Sequence, residues 1–158
     1  MAVNVVMCTC GDTLNEKIDY RTLEEYAKSL GIKNVMTTKA LCTSGDKSKI
    51  AAGLDGDRLA AVACTRSICQ LPVEAIMDEA GIQKDNLAIV NAKEQIANVH
   101  RDRLAATGKA KMMLKAAVAK VKHAAPLDVV TFERNQEALV VGGGIAGLTA
   151  ASELADQG

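Results

Sequence analysis

Aromatic side chains are nearly missing from this chain: Phe, Tyr and Trp together make up 2% of it, and tryptophan does not occur. A core has to be assembled from Ala, Val, Leu, Ile and Met, within an apolar content of 49%, and such side chains pack well between helices and a sheet. An excess of one charge is also missing. Lys+Arg and Asp+Glu balance at 19 each, which argues against nucleic acid or an acidic membrane surface as a partner. The basic segment 109–122 is the local exception and reads as the wet face of a helix. No stretch approaches the roughly 18 uninterrupted apolar residues of a membrane span. No charged segment followed by an apolar core and a small-residue cleavage site opens the chain, so no signal peptide is expected and the location is read as cytoplasmic. In that compartment disulfides are rare, and clustered cysteines more often bind metal or do redox work. The 158 residues leave room for one ordinary domain and a fragment of another.

What the chain does have is cysteine, at five positions. The odd number argues against a complete disulfide framework. Their placement is more informative: Cys8 and Cys10 close the apolar run 3–7, Cys42 closes 35–41, Cys64 closes 59–63, and Cys69 follows five residues later. If those runs are parallel strands, their carboxyl ends share one edge of a sheet, where α/β folds place ligands.

The rest of the pattern supports that architecture. A helix should begin near Asp19, with Asp19 or Thr22 as cap, carry Leu23, Tyr26, Ala27 and Leu30 on one face, and stop at Gly31. A second strand runs through Val35, a short helix lies between Asp46 and Gly53, and 54–57 is a turn. The run 58–63 is continuously apolar after Arg58, as in a strand covered on both faces. Pro72 suits the first turn of a helix 73–80 ended by Gly81. Leu87–Val90 is a fourth strand, and 92–123 is helical with Gly108 as the expected break. Strands alternating with helices give a doubly wound α/β domain over 1–125 with a largely parallel sheet flanked by helices.

Residues 126–136 look like a linker, and 137–158 differ in kind. A buried strand, Ala138–Val141, runs into Gly142-Gly143-Gly144-Ile145-Ala146-Gly147 and then a helix. Gly142, Gly144 and Gly147 match G-x-G-x-x-G: a tight turn, close approach of backbone to a pyrophosphate, and helix-on-strand packing. Free amides and the positive dipole end at the helix start suit phosphates. The acidic residue about 20 positions further on, which would hold a ribose, is not in the chain. The expectation is a truncated Rossmann-type βα unit that binds no dinucleotide tightly by itself.

The thiols admit four readings: small buried hydrophobes, a zinc site, a redox dithiol made by Cys8 with Cys10 or by Cys64 with Cys69, and an iron–sulfur cluster. Zinc sites usually draw on C-x2-C knuckles, whereas the close pair here is C-x-C, and three strands delivering thiols to one edge favour the cluster. His100 reads as a helical residue rather than a ligand, His123 as a helix C-terminal residue, and Met112 and Met113 as core filling.

Together the order Cys8-x-Cys10-Gly11, Cys42, Ala63-Cys64, Asn91-x-x-Glu94-Gln95, Val99-His100, Pro126-Leu127 and 138–147 resembles the N-terminal part of the heterodisulfide reductase A-subunit and its relatives, over essentially the whole chain. The resemblance implies an iron–sulfur flavoprotein parent, an oxidoreductase in which FAD and [4Fe–4S] clusters exchange electrons with partner subunits. It implies one [4Fe–4S] cluster on Cys8, Cys10, Cys42 and Cys64, with Cys69 as the substitute fourth ligand, and FAD contacts, in the full-length parent, at Gly142, Gly144, Ile145, Ala146 and Gly147. The chain departs from the family pattern where Thr65-Arg66-Ser67 follows Cys64 in place of a Ser-Pro-Arg type turn, and in having Cys69 at all. No general acid, base or nucleophile stands out, so the fragment alone is not expected to be catalytic. The rival reading is a metal-free docking or thiol redox module, and a homodimer through the unpaired tail strand is a further expectation.

Overall fold

The computed structural model describes residues 2–125, 127–128, 130–133 and 137–157. It divides into two compact units, 1–127 and 128–158.

The first unit is an α/β domain built on four parallel strands: β1 (Val3–Cys8), β2 (Asn34–Thr38), β3 (Arg58–Ala63) and β4 (Leu87–Asn91), in the order β2-β1-β3-β4. Every residue of β1 and β3 is buried, as expected of central strands covered on both faces. The alternating side chains serve two separate cores. Val3, Val5, Met7, Ala60 and Val62 meet helices α1 (Tyr20–Ser29) and α4 (Arg103–Lys122). Val6, Cys8, Leu59, Ala61 and Ala63 meet α2 (Lys47–Gly53) and α3 (Arg66–Glu79). Since β1 leads to β2 on one side and the chain then returns to β3 on the other, the winding reverses between β1 and β3. The carboxyl ends at such a reversal are where α/β folds place ligands.

Local chemistry sets the boundaries. Asp19 caps α1, its carboxylate accepting from the Thr22 amide at 3.1 Å, and Gly31 at φ +81° ends it as only an unbranched Cα does readily. Two expectations need correction. Helix α3 does not start at Pro72: it begins at Arg66 behind an extended Thr65, and Pro72 lies inside it. The apolar face Cys69, Val73, Ile76 and Met77 is continuous through the proline, and burial of that face outweighs one lost backbone bond to the preceding turn. Nor does Gly108 break the second helical region. The interruption falls earlier, where a π-type turn (Lys93–Ala97) gives way to a loop and Asp102 caps α4 by accepting from the Ala105 amide at 2.7 Å. A glycine in a helix costs about 1 kcal/mol, too little to stop a helix anchored by Ala106, Ala110, Leu114, Ala117, Val118 and Val121. Met113 packs against the core, as expected, while Met112 is exposed.

A polar lock closes the amino end of the sheet. Asn4, fully buried, donates to the Arg58 carbonyl at 3.0 Å and accepts from the Asn34 amide group at 2.7 Å and the Asp55 amide at 2.8 Å. The Arg58 guanidinium, 1% exposed, donates to the Val121 and Ala124 carbonyls at the end of α4. A cation is thereby held at the carboxyl end of α4, the sign its dipole favours.

In the second unit, Gly142 sits at φ +113° and α5 (Ile145–Gln157) forms directly after the glycines. The expected strand at 138–141 is not present: these residues pair with no strand, and Leu139 and Val141 are exposed. A strand exists only through a neighbour's ladder, and this apolar run has none among the described residues. Residues 127–128 and 130–133 of the expected linker carry no helix or strand, while 126, 129, 134–136 and 158 lie outside the described residues.

The lock should be measurable. Arg58→Met keeps the stem and removes the donors that serve the Val121 and Ala124 carbonyls. We expect a loss of about 2–3 kcal/mol in urea unfolding monitored by circular dichroism.

Candidate functional site

The parallel register brings the strand ends to one edge. Cys8 ends β1 opposite Thr38, the last residue of β2, and the ladder continues beyond them through Thr9 N–H to Thr38 O (2.9 Å) and Gly11 N–H to Lys39 O (2.7 Å). Cys64 follows the last residue of β3, and Cys69 lies one helical turn into α3. Cys8 and Cys64 therefore stand at the carboxyl edge where the winding reverses.

The loop after β1 is unusual. Cys10, Gly11 and Asp12 all have left-handed backbones, at φ 52°, 65° and 68°. For the two residues with a Cβ this costs of order 1–2 kcal/mol each, so the surroundings must hold it. Asp12 is the clamp: its carboxylate accepts from Thr9 Oγ1 (3.1 Å) and Asn15 Nδ2 (3.0 Å) and pairs with Lys39 Nζ (2.9 Å). From below, the buried Tyr20 hydroxyl donates to the Cys8 carbonyl at 2.8 Å.

The sulfur of Cys8 is buried and accepts two backbone hydrogen bonds, from the amides of Cys10 and Leu41, both at 3.4 Å, and its thiol donates to the Lys39 carbonyl at 3.6 Å. Burial raises its pKa, with the neighbouring Cys10 and Cys64 pushing the same way, while the two amides pull it down. Amide donors aimed at sulfur are how a protein steadies a thiolate and tunes a sulfur-ligated centre. Cys64 and Cys69 are both buried, with their sulfurs 2.9 Å apart. Burial, then the contact with Cys64, raises the Cys69 pKa. Cys10 is half-buried between the two cores.

Four of the five cysteines thus gather at one edge: Cys8, Cys64 and Cys69 share one core with Cys10 packed against it, the Cys10 amide bonds the Cys8 sulfur, and the Cys64 and Cys69 sulfurs touch. Cys42 does not join them by its side chain. The loop that bears it is laid over Cys8 through the Leu41 amide, but the Cys42 side chain is exposed. Among the described residues no three Cys, His, Asp or Glu side chains converge on one point as a single ion would require. The soft donor set and the amides on Cys8 fit a sulfur-bridged cluster, whose ligands stand at separate corners.

Two supports of this edge, Asp12 and Tyr20, are absent from the candidate residues drawn from sequence; a third, the pair Asn91–Glu94, is singled out there as a motif and given no role. Asn91 at the end of β4 donates to the Glu94 carboxylate at 2.9 Å and accepts from the Glu94 amide at 2.9 Å. Hydrogen bonds from Asn91, then Thr65, hold the Glu94 carboxyl below its usual range. Thr65 is the residue after Cys64, so this pair steadies the exit of β3. Asp12 is detectable as an acid beside a Cys-Gly turn; Tyr20 has no local signal. His100, expected in a helix, lies instead in the loop before α4, where its Nδ1 is 2.8 Å from the Ile96 carbonyl.

In the second unit Gly142 to Gly147 form the expected glycine loop. A Cβ on Gly147 would overlap the Gly142 carbonyl, while Gly143 and Gly144 face open space. The third glycine is there for close packing of helix against loop, the role the motif assigns it.

Cysteines at the carboxyl edge of a doubly wound parallel sheet, followed in sequence by a glycine loop and helix, define the class of segment: a cysteine-bearing α/β domain ahead of a glycine-loop βα-type unit. No protein-family model matches the chain. Relatives do. The chain is 37% identical over 158 residues to the A-subunit of the ferredoxin:CoB-CoM heterodisulfide reductase of Methanosarcina acetivorans, spanning 98% of this chain and 20% of that protein. It is 32% identical over 161 residues to the iron-sulfur A-subunit 1 of the CoB–CoM heterodisulfide reductase of Methanopyrus kandleri, 99% of this chain and 24% of that protein. To the A-subunit of the H(2):CoB-CoM heterodisulfide,ferredoxin reductase of Methanothermobacter thermautotrophicus it is 30% identical over 163 residues, again 99% and 24%. The chain is a homologue of the heterodisulfide reductase A-subunit and corresponds to a fragment of it. It spans between a fifth and a quarter of the length of these relatives.

The clamp at Asp12 carries a pH dependence. Hydrogen bonding by Lys39, then Thr9, lowers its pKa in the folded protein, so its contribution is present above the ordinary aspartate range and is lost as pH falls through the depressed folded value. Unfolding free energy should fall on acidification in the native protein and fall less in Asp12→Asn. Urea titrations over an acid series, repeated in high salt to screen the exposed pair, check this.

Proposed function

We propose that this chain is the electron-relay segment of an iron–sulfur flavoprotein related to the heterodisulfide reductase A-subunit. Its residues would hold a [4Fe–4S] cluster on Cys8, Cys10, Cys42 and Cys64, with Cys69 as the substitute for Cys64. The observation that carries the reading is the gathering of Cys8, Cys10, Cys64 and Cys69 at the carboxyl edge beside β1 and β3, in a chain whose relatives include a protein named as an iron-sulfur subunit. When bound, such a cluster takes up and releases one electron at a time.

The rest of the role falls to the chain. Cys8 is the buried anchor, with the Cys10 and Leu41 amides set to stabilise negative charge on its sulfur. The left-handed turn at 10–12 brings Cys10 back toward Cys8, and the Asp12–Lys39 pair keeps it there. Cys42, on the loop laid over Cys8, is the ligand presented from the solvent side. Leu41, buried in the same core as Cys8, Cys64 and Cys69, keeps water from them.

Residues 1–125 make up the cysteine-bearing domain in this reading and 126–136 the linker. Residues 137–158 bear the glycine loop and first helix of an FAD-binding domain, and 138–141 would become its first strand once partner strands are present. Gly142, Gly144, Ile145, Ala146 and Gly147 then contact FAD in the whole protein. Electrons pass between that FAD and other subunits of a complex, in the cytoplasm. No helix is long and apolar enough to cross a membrane among the described residues. The exposed Leu139, Val141 and Ile145 would be covered by the remaining strands of the flavin domain, which gives a reason for their exposure without a homodimer.

Two experiments bear on this. After anaerobic reconstitution, iron and acid-labile sulfide should be found in the native chain and be mostly lost in Cys8→Ser, Cys10→Ser, Cys42→Ser and Cys64→Ser, while Cys69→Ser retains them. Iron content equal across all five variants would remove the proposal. Calorimetry with FAD should show no binding at micromolar concentrations, since the phosphate loop lacks its ribose and ring sites; tight binding would contradict the domain reading.

A further inference from the structure

We propose that Cys64 and Cys69 are a dithiol–disulfide couple in their own right, a site of reversible thiol–disulfide exchange built into the start of α3. Their sulfurs lie 2.9 Å apart, inside ordinary sulfur–sulfur contact, and a disulfide of about 2.05 Å needs them to close by less than about 1 Å.

Three features hold the pair in place. Thr65 is extended (φ −96°, ψ 144°) and turns the chain from the end of β3 into α3. The Cys69 amide then donates to the Thr65 carbonyl at 3.0 Å, which fixes Cys69 in the first complete turn. Side chains on a helix lean toward its N-terminus, so the Cys69 sulfur reaches back over that turn to Cys64. Both residues pack in the core between the sheet and α2 and α3, with Val73 and Ile76. The motion that closes the bond is a side-chain rotation and leaves the strand and helix where they are.

The chemistry balances with a low-molecular-weight disulfide as oxidant. Cys64, the more exposed of the two at 6% against 1%, attacks one sulfur of the small disulfide as thiolate and expels a small thiol. Cys69 then attacks the Cys64 sulfur, expels the second small thiol and completes the Cys64–Cys69 bond. Two protein thiols lose two electrons and two protons, and one small disulfide becomes two thiols. Excess small thiol reverses both steps. The couple is a property of the metal-free chain and does not rest on the cluster reading. Where a cluster is also formed, the disulfide would withdraw Cys64 and Cys69 together from the ligand set.

The test uses the metal-free 158-residue chain, equilibrated anaerobically with mixtures of oxidised and reduced glutathione in mildly alkaline buffer, quenched in acid, alkylated and digested with trypsin. Cleavage after Arg66 separates the two cysteines, so the disulfide appears as peptide 59–66 joined to peptide 67–84. We expect this joined species to be the main intramolecular product, to disappear with dithiothreitol, and to persist in Cys8→Ser. In Cys64→Ser and Cys69→Ser the remaining partner should carry glutathione or stay free. The folded chain should reach half-oxidation at a glutathione disulfide concentration roughly tenfold or more below that needed in urea, the mark of sulfurs held together by the fold. Recovery of both cysteines as unlinked thiols or glutathione adducts, a dominant Cys8–Cys64 link, or an unchanged midpoint in urea would each overturn the proposal. Iron content does not enter any of these readouts.

Discussion

The ladder between β1 and β3 is the constraint on which everything else here depends. These two strands are adjacent in space and separated in sequence by α1, β2 and α2, and their pairing forces the winding to reverse between them. Helices then fall on both faces, and the two cores divide the side chains of each strand by parity. Cys8 and Cys64 meet because they end these two strands. Small residues make this possible: Ala60, Ala61 and Ala63 let α3 and α4 approach a sheet that has no bulky aromatic layer.

The two ends of that sheet divide the work. At the amino end, Asn4 and Arg58 satisfy carbonyls of β3 and α4, a sheet's length away from the cysteines. At the carboxyl end, left-handed residues, buried thiols and a polar clamp accumulate features that cost stability. Such a division is common where a site stores local strain and a packed scaffold holds it.

Much of this is legible in the sequence. The four parallel strands are readable from apolar runs of strand length bounded by turn residues, and the cysteine edge from their endings. Asp19 and Gly31 mark α1 because capping chemistry is local. Pro72 and Gly108 mislead for the opposite reason: their local preferences are outweighed by buried faces contributed by Cys69 and Val73 in one case and Ala106 and Ala110 in the other. The segment 138–141 reads correctly as an apolar run, but a strand there requires partners that the described residues do not supply. Cys42 falls in the expected loop, yet no periodicity shows which way a loop side chain turns. Tyr20 is unreadable as part of the site, since its contact to the Cys8 carbonyl crosses from one element to another.

Tyr20 has a consequence of a different kind. The chain contains no tryptophan and two tyrosines, and of these Tyr20 is buried with its phenol bonded to the backbone of the first cysteine, while Tyr26 is partly buried against the same core, near Lys111. Tyrosine emission is therefore shared by two rings, one of them fixed to the Cys8 carbonyl, and the residue that supports the thiol edge is also a native chromophore unobscured by indole.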